Sequence, residues 1–228
     1  KHVLVDRARE TVPISGTKIR GDAYRYWRYL MPGAKARLAK RIVLVGPEST
    51  GKTTLARRLA EHFRTAWVPE YGRFLSEGKS LSGTEWTTGE FEHIADVQNR
   101  LEDELSYSAN RVLVCDTDSW ATGIWHRRYM GKRSGKVDSF AKTRRHDLYL
   151  LTTPDVPFVD DGLRDGERIR DDMFHWFRDA LDAEQLPYRI LSGSYDSRFE
   201  AAKKAVESIL MNSKGIFVGI PEHTKVCS

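Results

Sequence analysis

Arg41-Ile42-Val43-Leu44-Val45-Gly46-Pro47-Glu48-Ser49-Thr50-Gly51-Lys52-Thr53 is an apolar strand running straight into a complete Walker A loop. Gly46 and Gly51 let the backbone turn tightly, so that amide groups point inward at phosphates. Lys52 then reaches the β- and γ-phosphates, and the Thr53 hydroxyl is the expected Mg²⁺ ligand; Glu48, Ser49, Thr50 and Thr54 complete the expected ATP-binding set. A helical pattern from Lys52 to Phe63 follows at once and turns its positive N-terminal end on the anion. Strand, loop and helix in that order predict ATP and Mg²⁺ as cofactors and phosphoryl transfer as the chemistry.

Outward from this loop, strands and helices alternate. Strands are expected at 41–45, 66–68, 111–115, 147–151 and 188–191, and helices near 85–107, 119–129, 172–183 and 199–210. Phe91, Ile94, Val97, Leu101 and Leu105 share one face of the long helix, as a 3.6-residue period requires. The alternation predicts an α/β fold of the P-loop NTPase type, a parallel sheet with helices on both faces. Residues 40–210 form that domain. Residues 1–33 read as a separate aromatic and basic segment, 34–39 as a linker, and 211–228 as a loosely ordered tail.

Composition agrees with a globular enzyme. Of 228 residues, 40% are hydrophobic and 30% charged, and no apolar run approaches membrane-spanning length. Two cysteines, Cys115 and Cys227, are too few for a disulfide framework, and a cytoplasmic setting is expected. The formal charge of +5 is a modest basic excess that phosphate-binding side chains help to explain. The chain opens on Lys1 with no apolar leader, so a start lying upstream is expected.

A second group of residues falls at the carboxyl edge of the expected sheet, where open α/β proteins bind ligands. Asp116 ends the third strand and is the expected metal-side carboxylate. Asp118, two residues on, faces either metal or substrate, or caps the next helix. Glu70, in Pro69-Glu70-Tyr71-Gly72-Arg73, is placed to accept the proton of an attacking hydroxyl, with Arg73 stabilising the transferring group. The segment Asp160 to Arg170 carries Arg164, Arg168 and Arg170 together with the hinge glycines Gly162 and Gly166 and reads as a lid over ATP, with Arg164 and Arg168 as cofactor contacts. Of the aromatic residues after Asp118, Tyr129 is the one expected to stack on a flat ring. His126, His146 and His175 show no metal spacing.

These motifs together resemble the NadR-type NAD biosynthesis proteins, in their ribosylnicotinamide kinase domain. The likeness covers about 41–210 and rests on the loop, on Glu70-Tyr71-Gly72-Arg73, Asp116-Thr117-Asp118, Arg128-Tyr129-Met130-Gly131 and Val159-Asp160-Asp161-Gly162-Leu163-Arg164. It implies transfer of the ATP γ-phosphoryl group to the 5′-hydroxyl of nicotinamide riboside. Lys52, Glu70, Arg73 and Asp118 would be catalytic, with Glu70 the base and Asp118 its rival. Glu70, Asp118, Tyr129 and Asp161 would line the riboside site. Pro13-Ile14-Ser15-Gly16-Thr17-Lys18-Ile19-Arg20 is similar to a nicotinamide-nucleotide adenylyltransferase signature, in which Ser15, Thr17 and Arg20 contact a triphosphate. The remainder of that domain's motifs are missing, so adenylyl transfer is not expected of these residues. A complete upstream domain would offer a route to a homo-oligomer. Other small-molecule kinases and an ATP-sensing regulatory module are the competing readings. Neither a membrane nor nucleic acid is an expected partner, because no DNA-reading element is visible.

Overall fold

The computed structural model describes residues 8–158 and 167–213. Five strands, β1 (Lys40–Val45), β2 (Trp67–Val68), β3 (Val112–Asp116), β4 (Leu148–Thr152) and β5 (Tyr188–Leu191), form one parallel sheet in the order β2-β3-β1-β4-β5. The α/β reading therefore holds. The strands of the sheet centre carry apolar runs, at 42–45, 112–115 and 148–151, because both faces are covered. Ile42 and Leu44 of β1 pack on one side with Leu55, Leu59, Phe199 and Val206, while Val43 and Val45 pack on the other with Trp120, Ile124 and Phe177.

In chain order the helices are α1 (Gly16–Gly21), α2 (Pro32–Leu38), α3 (Lys52–Phe63), α4 (Tyr71–Ser82), α5 (Thr88–Ser106), α6 (Ser119–Met130), α7 (Gly135–Lys142), α8 (Arg170–Ala183) and α9 (Tyr195–Met211). The long helix α5 starts later than its apolar pattern suggests, because Thr87 and Glu90 form a reciprocal capping box that fixes its first turn. Four helices, α1, α2, α4 and α7, escaped the sequence reading. Gly72 and Gly78 weaken any propensity signal in α4, but Tyr71 and Leu75 pack on the Phe91–Ile94 cluster and hold it.

The expected linker, 34–39, falls in α2 and its C-terminal cap, with Pro32 at the favoured first position rather than as a breaker. The preceding segment is packed, not loose. Tyr24, Trp27 and Leu30 are buried in the same cluster as Val43 and Leu113. Trp27 Nε1 donates to Ala109 O at 3.2 Å, and Arg111 Nε donates to Tyr24 O at 2.8 Å. Residue 213 closes the described C-terminus, so most of the expected tail, like residues 159–166 of the expected lid, lies outside the described residues. No described helix is long and apolar enough to cross a membrane.

Candidate functional site

The sheet order sets β1 beside β3, with Leu44 in register with Asp116. The phosphate loop that leaves β1 and the carboxylate that ends β3 are therefore neighbours at one sheet edge. Gly46 has φ +134°, and a Cβ there would lie 2.6 Å from Thr152 Oγ1 and 2.7 Å from the Thr152 carbonyl, so only glycine fits. Thr50 Oγ1 donates to Pro47 O at 2.9 Å, and Lys52 Nζ donates to the same carbonyl at 2.6 Å. The loop is thus shaped by its own hydroxyl and ammonium groups, with Lys52 folded over it.

Three arginines brace the loop from outside, a role that spacing alone gave to none of them. Arg198 of α9 is buried; its Nη1 donates to Thr50 O at 2.7 Å, and it also contacts Thr153, Gly193 and Asp155. Arg170, at the start of α8, donates to Val156 O at 2.9 Å and to Ser49 O at 3.4 Å. Arg128 of α6 meets Glu48 Oε1 at 3.1 Å. Arg170 belongs to the expected lid cluster, yet its side chain faces inward. Arg168 does the reverse: it is exposed in the one-turn helix Glu167–Ile169 and is not among the residues that line the cleft. Arg164 and Asp161 lie outside the described residues.

The cleft over the loop is lined by Glu48, Ser49, Thr50, Gly51, Lys52, Thr53, Thr54, Glu70, Gly72, Arg73, Ser76, Trp86, Phe91, Ile94, Thr117, Thr122, Trp125 and Tyr129. One end is polar and cationic. The other is aromatic: the Trp86 ring lies 5.1 Å from Phe91 and 5.7 Å from Tyr129, and Phe91 and Tyr129 are stacked 6.0 Å apart. Tyr129 was expected here. Trp86 and Phe91 were not, since an aromatic on an apolar helical face reads as core until its neighbours are known.

Glu70 lines the same cleft, as the N-cap residue of α4 with no side-chain capping bond. Buried Gln98 fixes the backbone on both sides of it, accepting from Tyr71 N at 2.9 Å and donating to Pro69 O at 3.1 Å. Burial, then the charge of Asp116, push the Glu70 carboxyl up to about 7, against the opposing pull of Lys52 and Arg73. Arg73 lines the same wall and lies 3.7 Å from Glu77.

Asp116 is 1% exposed, and neither carboxylate oxygen has a hydrogen-bond partner among the described residues. Burial raises its pKa, although Thr53, Lys52 and Arg57 pull the other way; the Thr53 hydroxyl is close without reaching bonding geometry. Leaving a buried carboxylate unpaired is costly. A divalent cation held between Thr53 and Asp116 would satisfy it, and Mg²⁺ commonly takes few protein ligands with the rest from phosphate and water.

Asp118 does not join this group. It is fully buried, caps α6 by accepting from Ala121 N at 2.8 Å, and accepts from the Tyr149 hydroxyl at 2.8 Å. His146 Nδ1 lies 3.3 Å from it, and His146 Nε2 lies 3.0 Å from Glu102, which in turn meets Arg41 at 3.2 Å. The expected catalytic and substrate-binding residue Asp118 is thus turned toward Tyr149 and His146 and is not among the residues that line the cleft. Ser15 caps α1 by accepting from Lys18 N, and Arg20 donates to Thr17 Oγ1 at 3.4 Å, both remote from the cleft lining.

Residues 41–198 match the AAA domain family. The chain belongs to that family. It is also similar to the "Trifunctional NAD biosynthesis/regulator protein NadR" of Escherichia coli (strain K12), 30% identical over 214 residues, 91% of this chain and 52% of that protein. The protein of the same name from Salmonella typhimurium is 29% identical over the same share of each chain. The chain thus spans about half the length of the curated relatives it matches. Two solved structures share the fold. A NadR protein in complex with NR gives a TM-score of 0.72 at 24% identity, covering 88% of this chain and 59% of that one. A NadR protein in complex with NAD and AMP-PNP gives 0.69 at 23% identity, covering 89% and 58%. The NadR-type resemblance read from the motifs is borne out by these relatives.

Proposed function

We propose that this chain is an ATP-dependent kinase that phosphorylates the 5′-hydroxyl of nicotinamide riboside, giving nicotinamide mononucleotide. The observation that carries the reading is a single cleft lined by the phosphate loop, by Glu70 and by the Trp86–Phe91–Tyr129 aromatic group. The NadR relatives, named for NAD biosynthesis, and the NadR structure in complex with NR point to the acceptor. The flat nicotinamide ring suits the Trp86–Phe91–Tyr129 box, and its positive charge favours ring faces.

Each residue then has a task. Loop amides and Lys52 bind the β- and γ-phosphates, and Lys52 leaves the Pro47 carbonyl to do so. The acceptor oxygen forms its bond to the γ-phosphorus as the bond to the β-phosphate oxygen breaks, and Glu70 takes the hydroxyl proton. Arg73 offsets charge on the moving group. Mg²⁺, when bound with the nucleotide, neutralises phosphate charge; Thr53 and Asp116 are the residues that would hold it. Residues 1–33 we assign to the end of an adjoining adenylyltransferase domain, with no adenylyl transfer of their own.

Purified chain with ATP and Mg²⁺ should release ADP when nicotinamide riboside is added, and far less with other nucleosides. Preference for a different nucleoside would replace the acceptor, and ATP binding without turnover on any of them would favour a sensor. Lys52→Ala should lower turnover on the order of a hundredfold or more by removing a transition-state phosphate contact.

A further inference from the structure

We propose that Arg128 is a positioning residue that neutralises Glu48 beside the phosphate cradle and fixes the aromatic end of the cleft, so coupling nucleotide binding to acceptor binding. The inference rests on the kinase reading above. Arg128 sits near the end of α6, whose Thr122, Trp125 and Tyr129 line the cleft, yet it is not itself a lining residue. Its Nη1 reaches across 80 residues of sequence to Glu48 Oε1 at 3.1 Å. Both side chains are largely withdrawn from water, at 7% and 16% exposure. The guanidinium carbon lies 4.8 Å from the centre of the Tyr129 ring and 5.5 Å from that of Trp125.

One cation therefore touches both ends of the site. Glu48 is a carboxylate within a loop that must receive a polyphosphate, and without a partner it would repel that ligand. Arg128 cancels this repulsion from behind the loop. A planar guanidinium over two rings also sets where those rings stand, which an ammonium does not do as well. A buried ion pair adds little net stability, so its use here is positional. Nucleotide that displaces Glu48 or the loop moves Arg128, and Arg128 moves the rings.

The test measures AMP-PNP affinity, riboside affinity with and without AMP-PNP, and riboside KM and kcat, for the unaltered chain and for Arg128→Gln, Arg128→Lys, Glu48→Gln and the Glu48→Gln/Arg128→Gln pair. Arg128→Gln should weaken AMP-PNP on the order of tenfold, as expected when the cation facing Glu48 is lost beside a polyphosphate. Adding Glu48→Gln should restore that affinity to within roughly threefold, because the Glu48 charge is then gone too. The riboside KM should stay raised in the double variant and in Arg128→Lys, since neither restores the planar group, while Arg128→Lys keeps AMP-PNP affinity. The ratio of riboside affinities with and without AMP-PNP should collapse toward one in Arg128→Gln. A structural role alone would show no rescue by the second substitution, and that result overturns the proposal. So does unchanged AMP-PNP affinity in Arg128→Gln. Should Arg128→Gln not fold, Arg128→Lys with wild-type riboside KM overturns it. Failure of the unaltered chain to bind riboside removes the kinase reading and this inference together; a riboside-binding chain with uncoupled sites removes this inference alone.

Discussion

Glu70 and Asp116 occupy one electrostatic unit, and each changes what the other can do. The raised carboxyl of Glu70 means that a useful base exists only near and above its value of about 7. The kcat/KM profile of the free enzyme should therefore fall on the acid side of about pH 7, and Glu70→Gln should slow transfer while leaving AMP-PNP binding nearly intact; an unchanged rate would remove Glu70 as the base. The same shift has a sign for stability. A carboxyl whose folded pKa lies above its unfolded value holds its proton longer when folded, so folding weakens as pH climbs from 4.5 to about 7 and stays weakened above. Glu70→Gln should accordingly raise stability at pH 8 by roughly 2 kcal/mol, and leave it nearly unchanged at pH 4, in urea titrations at the two values. Asp116→Asn should also raise the melting temperature, by removing a buried carboxylate without partners. Its cost should be an Mg²⁺ requirement higher by on the order of tenfold or more. A more stable and less active protein is the signature expected of strain held at a working site.

At the scale of elements, α6 shows what sequence could and could not disclose. Its span, its start after Asp118 and the burial of Trp120 follow from local pattern. Strand β3 and the loop after β1 were equally legible, because buried parallel strands and glycine-turned loops are coded by adjacent residues. The direction of the Asp118 side chain was not, since it depends on Tyr149, His146 and Glu102, brought together only by the sheet. Trp86, Gln98 and Arg198 went unread for the same reason: each acts on a loop far away in sequence. The network makes Asp118 costly to remove. Asp118→Ala deletes a helix cap and takes a buried anionic partner from His146 and Tyr149, and should destabilise by about 3 kcal/mol, against about 1 kcal/mol for the exposed cap Thr87→Ala. Burial disfavours the charged form of His146, but the Glu102 hydrogen bond and the charges of Asp118 and Glu102 prevail and raise its pKa. Its contribution is therefore complete below about pH 6.5 and is lost as pH rises through the raised folded value. Asp118→Asn should shrink that pH dependence in thermal melts taken from pH 6 to 9; an identical profile would contradict the pairing.

Across the whole molecule, the segment before β1 and the sheet form one buried cluster. Trp27 is 4% exposed, with its indole N–H on the Ala109 carbonyl at the turn before β3. Tyr24 is buried beside it, and its carbonyl accepts from Arg111 at the foot of the same strand. The segment thus closes the end of the sheet opposite the cleft, where the apolar side of α5 would otherwise meet water. A large buried aromatic carries several kcal/mol of transfer and packing energy. Trp27→Ala should therefore lower the stability of the entire domain by about 3 kcal/mol, seen as an earlier urea midpoint followed by far-ultraviolet circular dichroism. It should leave riboside KM and AMP-PNP affinity within about twofold in the folded fraction, because the cleft lies at the other sheet edge. Were the segment only tethered to the kinase domain, the midpoint would not move; were it part of the nucleotide site, affinity would fall first.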